Sequence, residues 1–149
     1  MVKKSQKLFG GGGDKGDRLI IYTDGGARGN PGPAALGVVV GDKEYSEYLG
    51  EMTNNKAEYL ALVFALKKAK ALLGGKKAEE AELEVRMDSE LIVRQLNGIY
   101  KIKEPDLQPL FIEVWNLRLD FKKVTFHHIP REQNKRADRL ANQALDDRR

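Results

Sequence analysis

The segment 20-IIYTDGGARGNPGPAALGVVV-40 constrains the fold more than any other stretch of the chain. Two apolar runs flank a segment dense in glycine and proline, which reads as strand, tight loop, strand. Asp24 stands where the first run ends, so a strand delivers a lone carboxylate to a loop with little bulk. The strands are expected at Leu19–Thr23 and Ala35–Val40, with a third at Glu44–Leu49. Their short links make an antiparallel meander the simplest arrangement.

Downstream the period changes. Asn55–Leu73 repeats apolar residues at steps of three and four (Ala57, Leu60, Ala61, Phe64, Ala65, Leu72), which predicts a helix. Thr53 or Asn54 caps it and Gly74-Gly75 ends it. Glu82–Met87 alternates Leu83, Val85 and Met87, a half-buried strand ending at Asp88. Ser89 starts a short helix through Leu96, and Pro105 opens another with Leu107, Leu110, Phe111, Val114 and Leu117 on one side. Val124–Ile129 is a fifth strand, and Asn134–Leu145 is a last helix carrying Asp138. The order β-β-β-α-β-α-α-β-α predicts an α/β fold: a mixed sheet with helices packed on it, the later strands parallel to the first.

The chain's 149 residues suit one domain with one core. Residues 1–17 read as a flexible tail and 18–149 as the domain; four glycines, Gly10 to Gly13, resist any regular element. That run lacks a following Gly-Lys-Ser/Thr, which excludes a nucleotide P-loop. No apolar run approaches the roughly 20 residues of a membrane span, and the start lacks the apolar stretch of a signal peptide. With no cysteine, disulfides and thiolate metal sites are excluded, which fits a cytoplasmic protein. Lys and Arg number 26 against 22 Asp and Glu. An excess that mild is as compatible with ordinary surface charge as with a polyanionic partner.

Asp24 and Asp88 each end a strand. If the first and fourth strands are parallel neighbours, both project from the sheet edge where open α/β sheets place their sites. Glu58 and Asp138 lie near helix starts that can be aimed at the same edge. Crowded carboxylates raise one another's pKa, and a divalent cation relieves that repulsion. Oxygen ligands favour magnesium or manganese over zinc. Taken singly, each acid reads more simply as a cap, an ion-pair partner or a solvated group. Asp138, flanked by Arg136 and Arg139, is the easiest to read that way.

Four segments together resemble ribonuclease H type 1: YTDGGARGNPGPA at 22–34, MTNNKAEY at 52–59, MDSELIVRQLNG at 87–98 and REQNKRADRLAN at 131–142. The resemblance implies a ribonuclease H-like, five-stranded mixed sheet, order 3-2-1-4-5, with helices on both faces. It implies metal-dependent endonucleolytic hydrolysis of the RNA strand of RNA/DNA hybrids, leaving 5′-phosphate and 3′-hydroxyl ends. By motif position Asp24, Glu58, Asp88 and Asp138 are the metal ligands and catalytic acids, holding two Mg2+ or Mn2+ ions with substrate bound. It also implies nucleic-acid contacts from Gly25, Gly26, Asn30, Thr53, Asn54, Asn55 and Ser89. Read from the residues alone, the glycines serve a tight turn and Thr53 to Asn55 cap a helix. The expected partner is the hybrid, with no membrane and no second copy of the chain.

The chain also departs from that pattern. Between the third and fourth helical segments only GIYKIKEPD intervenes, too short for the extra basic helix of many bacterial relatives. Tyr100, Lys101 and Lys103 either substitute in part or are plain surface charge. The loop histidine of the family maps by spacing to His128, with Arg131 as an alternative; either histidine reads equally as a strand residue. His127 alternates with His128 and would face the other side. Glu90 replaces a glutamine, and Trp115 reads as packing rather than base stacking. Alternatives to the hybrid nuclease are broader cleavage that includes double-stranded RNA, a more remote DNA-strand activity, and a non-catalytic hybrid-binding module. Such modules typically lose an acid, and this chain keeps four.

Overall fold

A computed structural model of the chain describes residues 18–148. The proposed tail, with Lys3, Lys4, Lys7 and Lys15, lies outside the described residues. Strands β1 (Arg18–Ala27), β2 (Gly32–Val40) and β3 (Lys43–Met52) form the meander, followed by α1 (Asn54–Leu73) and a short α2 (Gly75–Glu80). Strand β4 (Glu82–Met87), α3 (Glu90–Leu96), α4 (Gln108–Leu117), β5 (Lys123–His128) and α5 (Lys135–Asp147) complete it. Single 3-10 turns at Arg118–Asp120 and Arg131–Gln133 precede β5 and α5.

The sheet order is β3-β2-β1-β4-β5, as the resemblance implied. Strands β1, β2 and β3 pair antiparallel, whereas β4 runs parallel to both β1 and β5. Thr23 stands opposite Met87, so Asp24 and Asp88 leave adjacent parallel strands at one level. The expected first strand stopped at Thr23. Observed β1 runs on through Asp24, Gly25 and Gly26 to Ala27, because β2 continues to pair with it as far as Ala34.

Helix α1 covers one face of the sheet. There Ala61, Leu62, Ala65, Leu66 and Ala69 share one core cluster with Leu19, Ile21, Val38 and Val85. The expected stripe was displaced around the helix: Leu60, Phe64 and Leu72 are only half-buried. A helix apolar on most sides gives periodicity little to choose between faces. Helix α5 covers β2 and its neighbours on the opposite face, burying Ala137, Leu140, Ala141 and Leu145. Strand β2 is therefore buried on both sides, which accounts for its continuous apolar run. Gly37 admits α5: a Cβ there would lie 2.0 Å from the Ala137 carbonyl oxygen.

Other boundaries moved for local reasons. Gly74 ends α1, but Gly75 opens α2, a helix that the glycine pair concealed. Pro105 leads into a turn, and α4 begins at Gln108 with Pro109 in its first turn. Trp115 is 37% exposed, stacked on Phe111 and covered by the Arg118 guanidinium, an edge-packing role. No helix among the described residues is long and apolar enough to cross a membrane.

Candidate active site

Four elements deliver the acids. Strand β1 carries Asp24, Asp88 follows β4 directly, Glu58 sits in the first turns of α1, and Asp138 lies in the first turn of α5. Carboxylate oxygens of Asp24, Glu58 and Asp88 lie within 4.8 Å of one another. They line a cleft of about 470 Å³ together with Asp138, Asn54, Ser89, Arg28 and Arg131.

The approach of α1 to β1 depends on Gly25. A Cβ there would lie 2.1 Å from the Ala57 carbonyl oxygen and 2.7 Å from the Glu58 nitrogen. Without one, Gly25 N–H donates to Glu58 Oε1 at 3.3 Å. The missing side chain of Gly25 thus serves the helix contact, a role the turn motif did not disclose. Gly26 is different: a Cβ there would meet only Asn54 Oδ1, at 4.0 Å, and space remains beside Asp24.

The start of α1 is tied to the β1–β2 connection twice. Ala27 N–H donates to Asn54 Oδ1 at 2.7 Å, and Asn54 N–H donates to Asn30 Oδ1 at 2.9 Å. Thr53 is the helix cap, accepting from Lys56 N–H at 3.3 Å. Ser89 caps α3 in the same way through Ile92 N–H. Asn55 donates to Glu104 Oε1 at 3.1 Å, linking α1 to the connection before α4.

Electrostatics match the crowding. Burial, then Asp88 and Asp138, push the Asp24 carboxyl up to about 8, opposed by Arg131. Glu58, only 8% exposed, is held well above the usual carboxylate range by burial, then by Asp24 and Asp88, against the Gly25 hydrogen bond. These two acids are poised to carry protons in the absence of a cation. Clustered oxygen donors, with Asp24 and Glu58 raised in proton affinity, fit a hard divalent ion.

One contributor escaped the sequence reading. Asn134 is 1% exposed, yet its amide caps nothing. It donates to the Thr23 carbonyl at 3.0 Å and to Asp88 Oδ2 at 3.3 Å, joining β1, β4 and the start of α5. Its only sequence signal was a polar residue four before Asp138, which reads as the first residue of the last helix.

Comparison with known proteins follows from this geometry. A family model described as Reverse transcriptase-like matches residues 22–144. Ribonuclease HI of Halobacterium salinarum is 43% identical over 140 residues, covering 90% of this chain and 67% of that protein. The chain belongs to the ribonuclease HI family. A bifunctional protein of Mycobacterium tuberculosis is 41% identical over 136 residues, covering 87% of this chain and 36% of that protein. The chain thus spans about a third of the length of the mycobacterial relatives it matches. LC11-RNase H1, isolated from compost by a metagenomic approach and crystallised with an RNA/DNA hybrid, aligns with a TM-score of 0.80. It is 52% identical, over 85% of this chain and 96% of that one.

Within this ribonuclease HI family member, the cleft gathers Asp24, Gly25, Gly26, Asn54, Glu58, Asp88, Ser89, Arg131 and Asp138. Asn30, Thr53 and Asn55 do not line it: Asn30 and Thr53 hold the start of α1, and Asn55 ties that helix to Glu104. His128 does not line the cleft. It borders a separate groove of about 320 Å³ with Glu90, Arg94 and Asn97; His127, expected on the other side, also lines that groove, with its ring 2.8 Å from Thr125 Oγ1. Strand β5 ends at His128, so the histidine belongs to the strand end and Arg131 to the loop that borders the acids.

Proposed function

We propose that this chain is a metal-dependent endoribonuclease that hydrolyses the RNA strand of RNA/DNA hybrids, leaving 5′-phosphate and 3′-hydroxyl ends. The observation that carries the reading is the convergence of Asp24, Glu58 and Asp88 within 4.8 Å, from elements far apart in the chain. Family membership supports it, as does the hybrid bound to LC11-RNase H1.

Asp24, Glu58 and Asp88, with Asp138 alongside, would hold two Mg2+ or Mn2+ ions. Such ions supply charge neutralisation, activation of water and stabilisation of the leaving oxygen. The chain's own residues do the rest. The Gly25 amide fixes the Glu58 carboxylate, and Asn134 fixes that of Asp88. Arg131, close enough to Asp24 to lower its proton affinity, is placed to contact the scissile phosphate. It takes the part first assigned to His128. Gly26 leaves room for the sugar-phosphate chain, with Asn30, Asn54 and Ser89 presenting polar groups beside it. Recognition of the RNA strand would run through its shallow minor groove and 2′-hydroxyls. One chain supplies the whole site, so the reading takes the monomer as the active form. It places the work in the cytoplasm, a location that suits a cysteine-free chain.

The test offers labelled RNA/DNA hybrid, double-stranded RNA and DNA, with magnesium, manganese or chelator. Cleavage confined to the RNA of the hybrid, and lost in chelator, is the expected result. Binding without cleavage under every metal condition would favour the hybrid-binding module instead.

A further inference from the structure

The acid-lined cleft continues beyond its carboxylates. Its far half is floored by one face of α5, where Asp138, Ala141, Asn142 and Leu145 recur at steps of three, one and three. At about 1.5 Å per residue this floor runs roughly 10 Å from Asp138. A nucleic-acid strand carries one charge per ~3.4 Å of helix axis. A strand with one phosphate at the acids therefore lays further phosphates along this floor.

At the edge of that floor sits Arg28, on the β1–β2 connection. Arg28 and Arg131 are the two cations that line the cleft among the described residues. Arg28 Nη2 donates to Asn142 Oδ1 at 3.2 Å and pairs with Asp146 Oδ1 at 2.9 Å. Asn142 in turn donates to the Asp138 carbonyl at 3.1 Å. These contacts hold the guanidinium against α5. The Arg28 side chain is still 44% exposed and that of Asp146 65%, so water reaches both and the ion pair is weak.

We propose that Arg28 binds a backbone phosphate of the strand being cut, away from the scissile linkage, and that Asp146 occupies the guanidinium until the phosphate displaces it. The proposal rests on the hybrid-nuclease reading. The acid-lined half of the cleft offers a polyanion no side-chain cation but Arg131, and a cation beyond it adds attraction along the strand. A guanidinium fork matches a phosphate in two-point contact, which an exposed single-oxygen contact to Asp146 does not exploit. Asn142 is the positioning residue: its Oδ1 accepts from Arg28 and orients the guanidinium.

The experiment uses the full chain. KM and kcat are measured on a labelled RNA/DNA hybrid, and Kd against salt is measured in an Asp24→Asn background where no strand is cut. Arg28→Ala is expected to raise KM about tenfold with far less change in kcat, and to make the log Kd against log salt slope shallower by about one. Arg28→Lys is expected to retain the salt slope while losing part of the affinity. Asp146→Asn is expected to lower KM by freeing the guanidinium. A wild-type KM and salt slope in Arg28→Ala would overturn the proposal. So would Arg28→Ala and Asp146→Asn raising KM together with a common loss of melting temperature, the mark of a structural clamp. Wild-type protein that neither binds nor cuts the hybrid would instead defeat the hybrid-nuclease reading on which the proposal stands.

Discussion

Helices α1 and α5 lie on opposite faces of one sheet and each brings an acid to the same cleft, yet they do so by different physics. Helix α1 spans 20 residues, is buried on most sides, and carries Glu58 at 8% exposure with a backbone N–H on its carboxylate. Helix α5 spans 13 residues, buries only one stripe, and carries Asp138 half-exposed, outside the trio of converging oxygens. A fully enclosed acid is held by the core and has little freedom to move. A rim acid on an amphipathic helix can adjust to what enters the cleft. Rigidity sits on one side of the site and adaptability on the other.

Exchanging the acids for amides tests that contrast most strongly. Glu58→Gln is expected to lower kcat on the order of 10³-fold or more. Asp138→Asn is expected to lower it by about 10–100-fold. Both are read by steady-state cleavage of a labelled hybrid at saturating magnesium. Equal losses at the two positions would erase the distinction between the faces.

The next effect is steric. Gly25→Ala drives a methyl into the α1 backbone, 2.1 Å from the Ala57 carbonyl, and backbone cannot swing aside as a side chain can. Denaturant unfolding should show a loss of about 2–4 kcal/mol. Gly37→Ala, which meets α5 at 2.0 Å, should also destabilise, by less if the shorter helix shifts more readily.

The pH dependence of the metal-free protein follows from the raised carboxyls. Asp24 titrates near 8 when folded, against an ordinary value of 3.8. Between those values the folded state holds a proton that the unfolded state has released. Stability therefore falls as pH rises from about 4 to about 8, then levels off. Glu58 acts in the same direction. Asp24→Asn should flatten this fall and gain about 0.5–2 kcal/mol at pH 8 in chelator, read by thermal melts across that range. A slope unchanged in the variant would show that Asp24 is not the group responsible.

The smallest effect lies on the outer side of α5. Arg136 and Arg139 both pair with Glu44 on β3, in contact with solvent. Arg136→Ala should alter stability by no more than about 1 kcal/mol, with turnover unaffected. A larger loss would mean that this rim is anchored as firmly as α1.

Much of this was legible along the chain. Strand β4 falls where its alternation predicted, because a half-buried strand imposes period two on its own residues. The sheet order and the four acids came from motifs whose members are adjacent in sequence. Other features were hidden. The Gly25 side chain is excluded by a helix more than thirty residues away, so the reading credited its absence to the substrate. Asn134 read only as the first residue of the last helix because its partners, Thr23 and Asp88, are reached only across the sheet. Counting residues matched His128, with Arg131 as the alternative, and counting does not show which of the two lines the cleft.

Residue pattern alone settled the five strands and four of the five helices, though not all of their ends, and which of them carry the four acids, since those depend on neighbours a few positions away. Tertiary packing decided the distances between the carboxylates, the raised proton affinities of Asp24 and Glu58, and that Arg131 rather than His128 lines the cleft. Each of those depends on how closely separate elements approach and how much water they exclude, and no local stretch of chain encodes that by itself.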